Sequence, residues 1–85
     1  MDRETAWEAM IAAVREEIEN PTASVEPNMT AIDIPGWDSL AHVRIVMNME
    51  ARTGAVVEMS DTYKAATVGE LCDIVIKSLG KASDA

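Results

Sequence analysis

Gly36-Trp37-Asp38-Ser39-Leu40 falls near the middle of an 85-residue chain and marks where a long loop gives way to a helix. Asp is among the strongest N-cap residues, so a helix is expected to start at Asp38 or Ser39. Leu40, Val43, Val46, Met47 and Met49 then recur at helical spacing up to Gly54, a natural C-terminal stop. Ile45 lies off that stripe, so this helix is expected to be apolar on more than one side. Ser39 thus stands on the first turn of a helix. Backbone N–H groups there lack intrahelical partners and the dipole is positive, so a phosphate ester on its hydroxyl would be favoured.

On the N-terminal side, residues 21–37 contain Pro21, Pro27, Pro35 and Gly36. A loop of that length in so short a domain calls for a reason. Val25, Met29, Ile32, Ile34 and Trp37 punctuate it and are expected to pin it across the helices. Before it, Trp7, Met10, Ile11, Val14 and Ile18 predict a first helix from about Arg3 to Asn20, ended by Asn20-Pro21. Either Asp2 or the Thr5/Glu8 pair has the chemistry to cap it.

On the C-terminal side, Ala55-Val56-Val57 reads as a buried connector, because no second strand is present to pair with it. A short third helix is expected from Ser60 or Asp61 to near Ala65. Thr67-Val68-Gly69-Glu70 has the spacing of a capping box and opens a last helix. Its inward residues are Val68, Leu71, Cys72, Val75 and Leu79, and Gly80 is expected to end it. The expected fold is all-α: a small four-helix bundle, three main helices and one short one, with a long first loop. Residues 1–80 form the domain and 81–85 a short polar tail.

The formal net charge is -8, with -7 of it on residues 1–38. Such a surface repels phosphate backbones and anionic lipid, so no nucleic acid partner is expected, and basic protein surfaces suit it better. No apolar run is long enough for a membrane span. Cys72 is alone, which rules out an internal disulfide and fits a reducing, cytoplasmic setting. A single His and a single Cys make no metal site.

Asp38, Ser39 and His42 invite comparison with a hydrolase triad. Ser39 and His42 are three apart on one helix, so both side chains are expected side by side in solvent, with Asp38 occupied as the cap. Nothing nearby supplies an oxyanion hole. The sequence therefore gives no enzyme.

Asp38-Ser39-Leu40 opening an amphipathic helix midway along a small acidic chain resembles the attachment motif of the acyl carrier protein family. The resemblance runs from Trp7 to Leu79 and includes the long loop, the connector at Val57 and the Thr67-Val68 start of the last helix. It implies that Ser39 carries a 4'-phosphopantetheine arm, installed by a phosphopantetheinyl transferase with magnesium. Loading enzymes, synthases or transferases would then charge the arm with an acyl or aminoacyl group as a thioester. A monomer that does no bond chemistry of its own is implied. The resemblance also implies a partner surface of Asp38, Leu40, Arg44 and Met47, although Met47 serves equally well as core. Val43, Met49, Val57 and Ala65 match positions that can receive an acyl chain. The second helix departs from the family: it carries His42, Arg44 and Arg52, with Glu50 its only acid after Asp38. Ile34-Pro35-Gly36-Trp37 replaces the Leu-Gly pair usual before the Asp in fatty-acid carriers. These departures point to a specialised pathway of polyketide, non-ribosomal peptide or polysaccharide type. The competing reading is an unmodified helical protein-interaction domain, in which Ser39 is only a helix-start residue.

Overall fold

The computed structural model describes residues 1–83, and every regular element in them is helical. Helix α1 spans Arg3–Glu17, α2 Ser39–Thr53, α3 Met59–Thr62 and α4 Val68–Ser83, with a single 3-10 turn at Ala31–Asp33 inside the long loop. This is the expected all-α bundle. Their shared core holds Ala6, Met10, Ala13 and Val14 of α1, Ala41, Ile45, Val46 and Met49 of α2, and Val68, Leu71, Cys72 and Val75 of α4. Trp7, Ile11, Ile18 and Leu79 are half-buried against it.

Local chemistry sets the boundaries. Asp2 caps α1, accepting a 2.7 Å hydrogen bond from the Thr5 N–H, so Thr5 lies inside the helix and forms no capping box. The helix stops at Glu17, three residues before the expected Asn20. Glu19 there takes a left-handed backbone (φ 57°). The Glu19 N–H donates to Glu16 O and the Asn20 N–H to Arg15 O, the paired bonds of a Schellman ending. At α2 the expected ends hold: Asp38 caps the start and Gly54, at φ 78°, closes the finish.

Helix α3 begins at Met59, before the expected Ser60 or Asp61, and ends at Thr62. The capping box of α4 forms as read, with Glu70 N–H donating to Thr67 Oγ1 and Thr67 N–H to Glu70 Oε2. Helix α4 runs through Gly80 to Ser83, since an interior glycine weakens a helix without obliging it to stop. The last two residues of the expected tail, Asp84 and Ala85, lie outside the described residues.

The stripe expected for α2 is right at Val46 and Met49, which are buried, and wrong at Leu40, Met47 and Ile45. Ile45 is fully buried, whereas Leu40 (68 % exposed) and Met47 (58 %) face outward. The buried residues Ala41, Ile45, Val46 and Met49 form the true inward face. Exposed apolar residues on the other side made the two phases look alike in sequence. Two other expectations fail for the same reason of direction: Ile32 is 96 % exposed and pins nothing, and Val56 is exposed while Ala55 is buried.

The long loop is held by α4. Val68 N–H donates to Met29 O and Gly69 N–H to Pro27 O, both at 2.9 Å. With Glu70 N–H on Thr67 Oγ1 and Thr67 N–H on Glu70 Oε2, all four orphan N–H groups of the α4 start are satisfied. Val25 and Ile34 sink into the core on either side of this anchor.

Candidate functional site

Ser39 is the first residue of α2 and is exposed. Asp38 before it is extended, and its Oδ1 accepts the Ala41 N–H at 2.8 Å while its carbonyl accepts the His42 N–H at 2.9 Å. The His42 bond is the first rung of the helical ladder, and of the orphan N–H groups ahead of it the cap takes that of Ala41. Those of Ser39 and Leu40 have no protein acceptor among the described residues, unlike their counterparts at α4. An exposed hydroxyl beside two open backbone donors at a positive helix end fits a phosphate ester, and the Asp38 carboxylate is turned away into its capping bond. A phosphopantetheine group therefore suits the residues present.

The triad geometry is absent. Asp38 is spent on the helix cap, and His42 does not stand beside Ser39 in solvent as expected. Its ring is partly buried and engaged on both nitrogens. Trp37 Nε1–H donates to His42 Nδ1 at 3.3 Å, and His42 Nε2 lies 2.8 Å from Thr62 Oγ1. The indole can only donate, so Nδ1 accepts and Nε2 carries the proton to Thr62. Thr62, fully buried, passes its own hydroxyl proton to Met59 O at 2.6 Å. Tyr63 stacks on the imidazole with ring centroids 4.4 Å apart. Burial lowers the His42 pKa, which agrees with a neutral ring held in one tautomer. This four-residue cluster was not read from sequence. The available signal was spacing: His42 adjoins Ala41 and lies three and four positions before Ile45 and Val46, on the inward side of α2.

The other expected site residues separate into groups. Asp38, Leu40, Arg44 and Met47 are exposed along one stretch of α2. Arg44 lies 3.6 Å from Glu17 and Arg52 2.7 Å from Glu16, so the C-terminal turn of α1 pairs with both arginines of α2. Glu50, the only acid within α2, accepts the Val57 N–H at 3.0 Å. Val43, Met49, Val57 and Ala65 do not surround one cavity. Met49 is core, Ala65 borders a space of about 50 Å³ beside Trp37 and His42, and Val57 borders an open groove of about 510 Å³ with Ile74 and Lys77.

Comparison with known proteins agrees with this architecture. Residues 8–75 match the family model described as "Phosphopantetheine attachment site". The acyl carrier protein of Thermotoga maritima is 31% identical over 78 residues, covering 92% of this chain and 96% of that protein. The solution NMR structure of a holo acyl carrier protein from Geobacter metallireducens superposes with a TM-score of 0.77 at 25% identity, covering 91% of this chain and 88% of the other. Among the described residues no helix is long and apolar enough to cross a membrane. A match over most of the chain, a relative aligned almost end to end and a shared helical fold place this protein in the acyl carrier protein family, non-catalytic carriers whose prosthetic group is 4'-phosphopantetheine.

Proposed function

We propose that Ser39 is the residue that bears the prosthetic group, and that a phosphopantetheinyl transferase attaches it from coenzyme A with magnesium. The observation that carries this is the exposed Ser39 hydroxyl at the α2 start, beside the open N–H groups of Ser39 and Leu40. The bound arm supplies a thiol that holds an acyl or aminoacyl group as a thioester. The protein's own part is to tether: Asp38 fixes the helix start and α4 holds the loop, so the attachment point is rigid while the arm swings. Tethering raises the effective concentration of cargo at each partner enzyme.

Partners dock, in this reading, on the exposed stretch of Asp38, Leu40, Arg44 and Met47. Two large apolar side chains exposed there are a surface that a partner would cover. The charge of α2 supports a specialised pathway over housekeeping fatty acid synthesis. Glu50 is engaged with the connector, and the arginines answer Glu16 and Glu17, so α2 offers no free carboxylate past Asp38 to a basic partner.

The test is intact mass after incubation with a broad-specificity phosphopantetheinyl transferase, coenzyme A and magnesium. Wild type should gain one phosphopantetheinyl group and Ser39→Ala none, with its helical circular dichroism unchanged. A mass gain in Ser39→Ala would move the attachment to another residue.

A further inference from the structure

We propose that His42 bolts the α2–α3 seam beside the attachment residue, so that the carried group stays outside the helical bundle and belongs to the class of short or polar acyl and aminoacyl groups, not long saturated chains. The inference rests on the reading of Ser39 as the attachment residue. His42 lies three residues beyond Ser39 on α2, at the seam with α3 on the side where the bundle has an internal space. It spans from the loop to α3: Trp37 Nε1–H to Nδ1, Nε2–H to Thr62 Oγ1, and Thr62 Oγ1–H on to Met59 O. Each donor in that relay has its acceptor, and no buried side-chain nitrogen or oxygen among the described residues is left unpaired. Tyr63 covers the ring face at 4.4 Å between centroids.

A methylene chain entering between α2 and α3 would have to part His42 from Thr62 and leave buried polar groups unpaired, offering them nothing in return. The space already present does not help. The cavity behind the bolt, bordered by Trp37, His42, Thr62, Ala65 and Leu71, measures about 50 Å³. A cavity that accepts a benzene ring is about 150 Å³. Cargo of two carbons is near the limit of such a space, and an eight-carbon chain is far beyond it. Of the four apolar positions Val43, Met49, Val57 and Ala65, Met49 is fully buried core and Val57 borders the open groove, whose rim carries Glu58, Asp61, Lys64 and Lys77 and so does not offer a long methylene chain an enclosed apolar channel.

The experiment loads the full chain with a broad-specificity transferase and acetyl-, butanoyl- or octanoyl-coenzyme A, with intact mass confirming each product. Readouts are the Trp37 indole N–H and the Ala65, Leu71, Val57 and Ile74 methyl signals by NMR, together with thermal melting. In wild type these signals and the melting temperature should not change with chain length. In Thr62→Val, which keeps side-chain volume but removes the acceptor, and in His42→Ala, the octanoyl form should shift Ala65 and Leu71 and melt above the acetyl form. Chain-length-dependent shifts in wild type would overturn the inference while leaving Ser39 as the attachment residue. Insensitivity in both variants would overturn the role given to His42. Failure of wild type to gain any acyl-phosphopantetheinyl mass would overturn the carrier reading of Ser39 and this inference with it.

Discussion

Gly69→Ala should destabilise this protein, against the usual behaviour of a glycine in a helix. In an ordinary helix interior the change to alanine gains about 1 kcal/mol. Here a Cβ on Gly69 would stand 2.9 Å from Pro27 O, 3.1 Å from Pro27 Cβ and 3.3 Å from Pro27 Cα. Ordinary contact begins near 3.4 Å, so the loop must retreat by about 0.5 Å. That retreat stretches the two 2.9 Å bonds by which α4 holds the loop, Gly69 N–H to Pro27 O and Val68 N–H to Met29 O. Each is worth about 0.5–1.5 kcal/mol net, and the overpacking itself costs about 1–3 kcal/mol. With the two bonds weakened but not broken, overpacking set against the propensity gain dominates, and the balance is a loss of about 1–3 kcal/mol, or about 4–24 °C in melting temperature for a domain of this size. Urea unfolding followed by circular dichroism and thermal melting measure it directly. A Gly69→Ala protein as stable as wild type, or more so, would refute the claim that the loop carrying Trp37 and Asp38 is clamped to the start of α4.

Glu19→Gly should stabilise the protein by about 0.5–1 kcal/mol, because Glu19 holds a left-handed backbone at the end of α1 where glycine carries no Cβ strain; the midpoint in urea is the readout, and a lower midpoint would count against it. Stability should also depend on His42. Burial lowers its pKa in the fold below the ordinary value of about 6.5, so the unfolded chain binds a proton more readily. The stabilisation is complete above that ordinary value and is lost as pH falls through it toward the folded value. Its ring meets Trp37, Thr62 and Tyr63, none of them a carboxylate that would favour the charged form. Melting temperature between pH 7.5 and 5 should therefore fall more steeply in wild type than in His42→Gln, and parallel curves would remove His42 as the cause. Arg44→Glu should alter affinity for a partner enzyme while lowering stability by about 1 kcal/mol, since Arg44 is more than half exposed and its 3.6 Å pair with Glu17 is partly screened; unchanged transfer with every cognate partner would place docking elsewhere.

Much of the molecule was legible along the chain. Capping chemistry is local: a carboxylate or hydroxyl at the right offset satisfies orphan N–H groups whatever the rest of the chain does. That is why the start of α2 at Asp38, its close at Gly54 and the Thr67–Glu70 box of α4 were all readable. The position of Ser39 on a first helical turn followed from the same logic. The stop of α1 was misplaced because Glu19 adopts a conformation that its residue type does not announce.

Direction was harder than position. In α2, apolar residues lie on nearly every side, so periodicity could not separate Ile45, which is core, from Leu40 and Met47, which are surface. Ile32 and Val56 look like anchors by composition and point outward. Which side of a helix is buried is settled by what packs on it. The core needed the α1 and α4 faces before the phase of α2 could be chosen.

The sequence by itself determined the all-α class, the loop before α2, the acidic balance and a serine poised for a phosphate ester, because each depends on neighbours within a few residues or on total charge. Only the tertiary structure joined Trp37, His42, Thr62 and Tyr63 into one cluster, paired Arg44 and Arg52 with the end of α1, and clamped Pro27 and Met29 to the start of α4. Those contacts link residues up to 42 positions apart, as Pro27 and Gly69 are. They form because packing the helices brings the partners together, where a donor finds its acceptor only once water has been excluded from both.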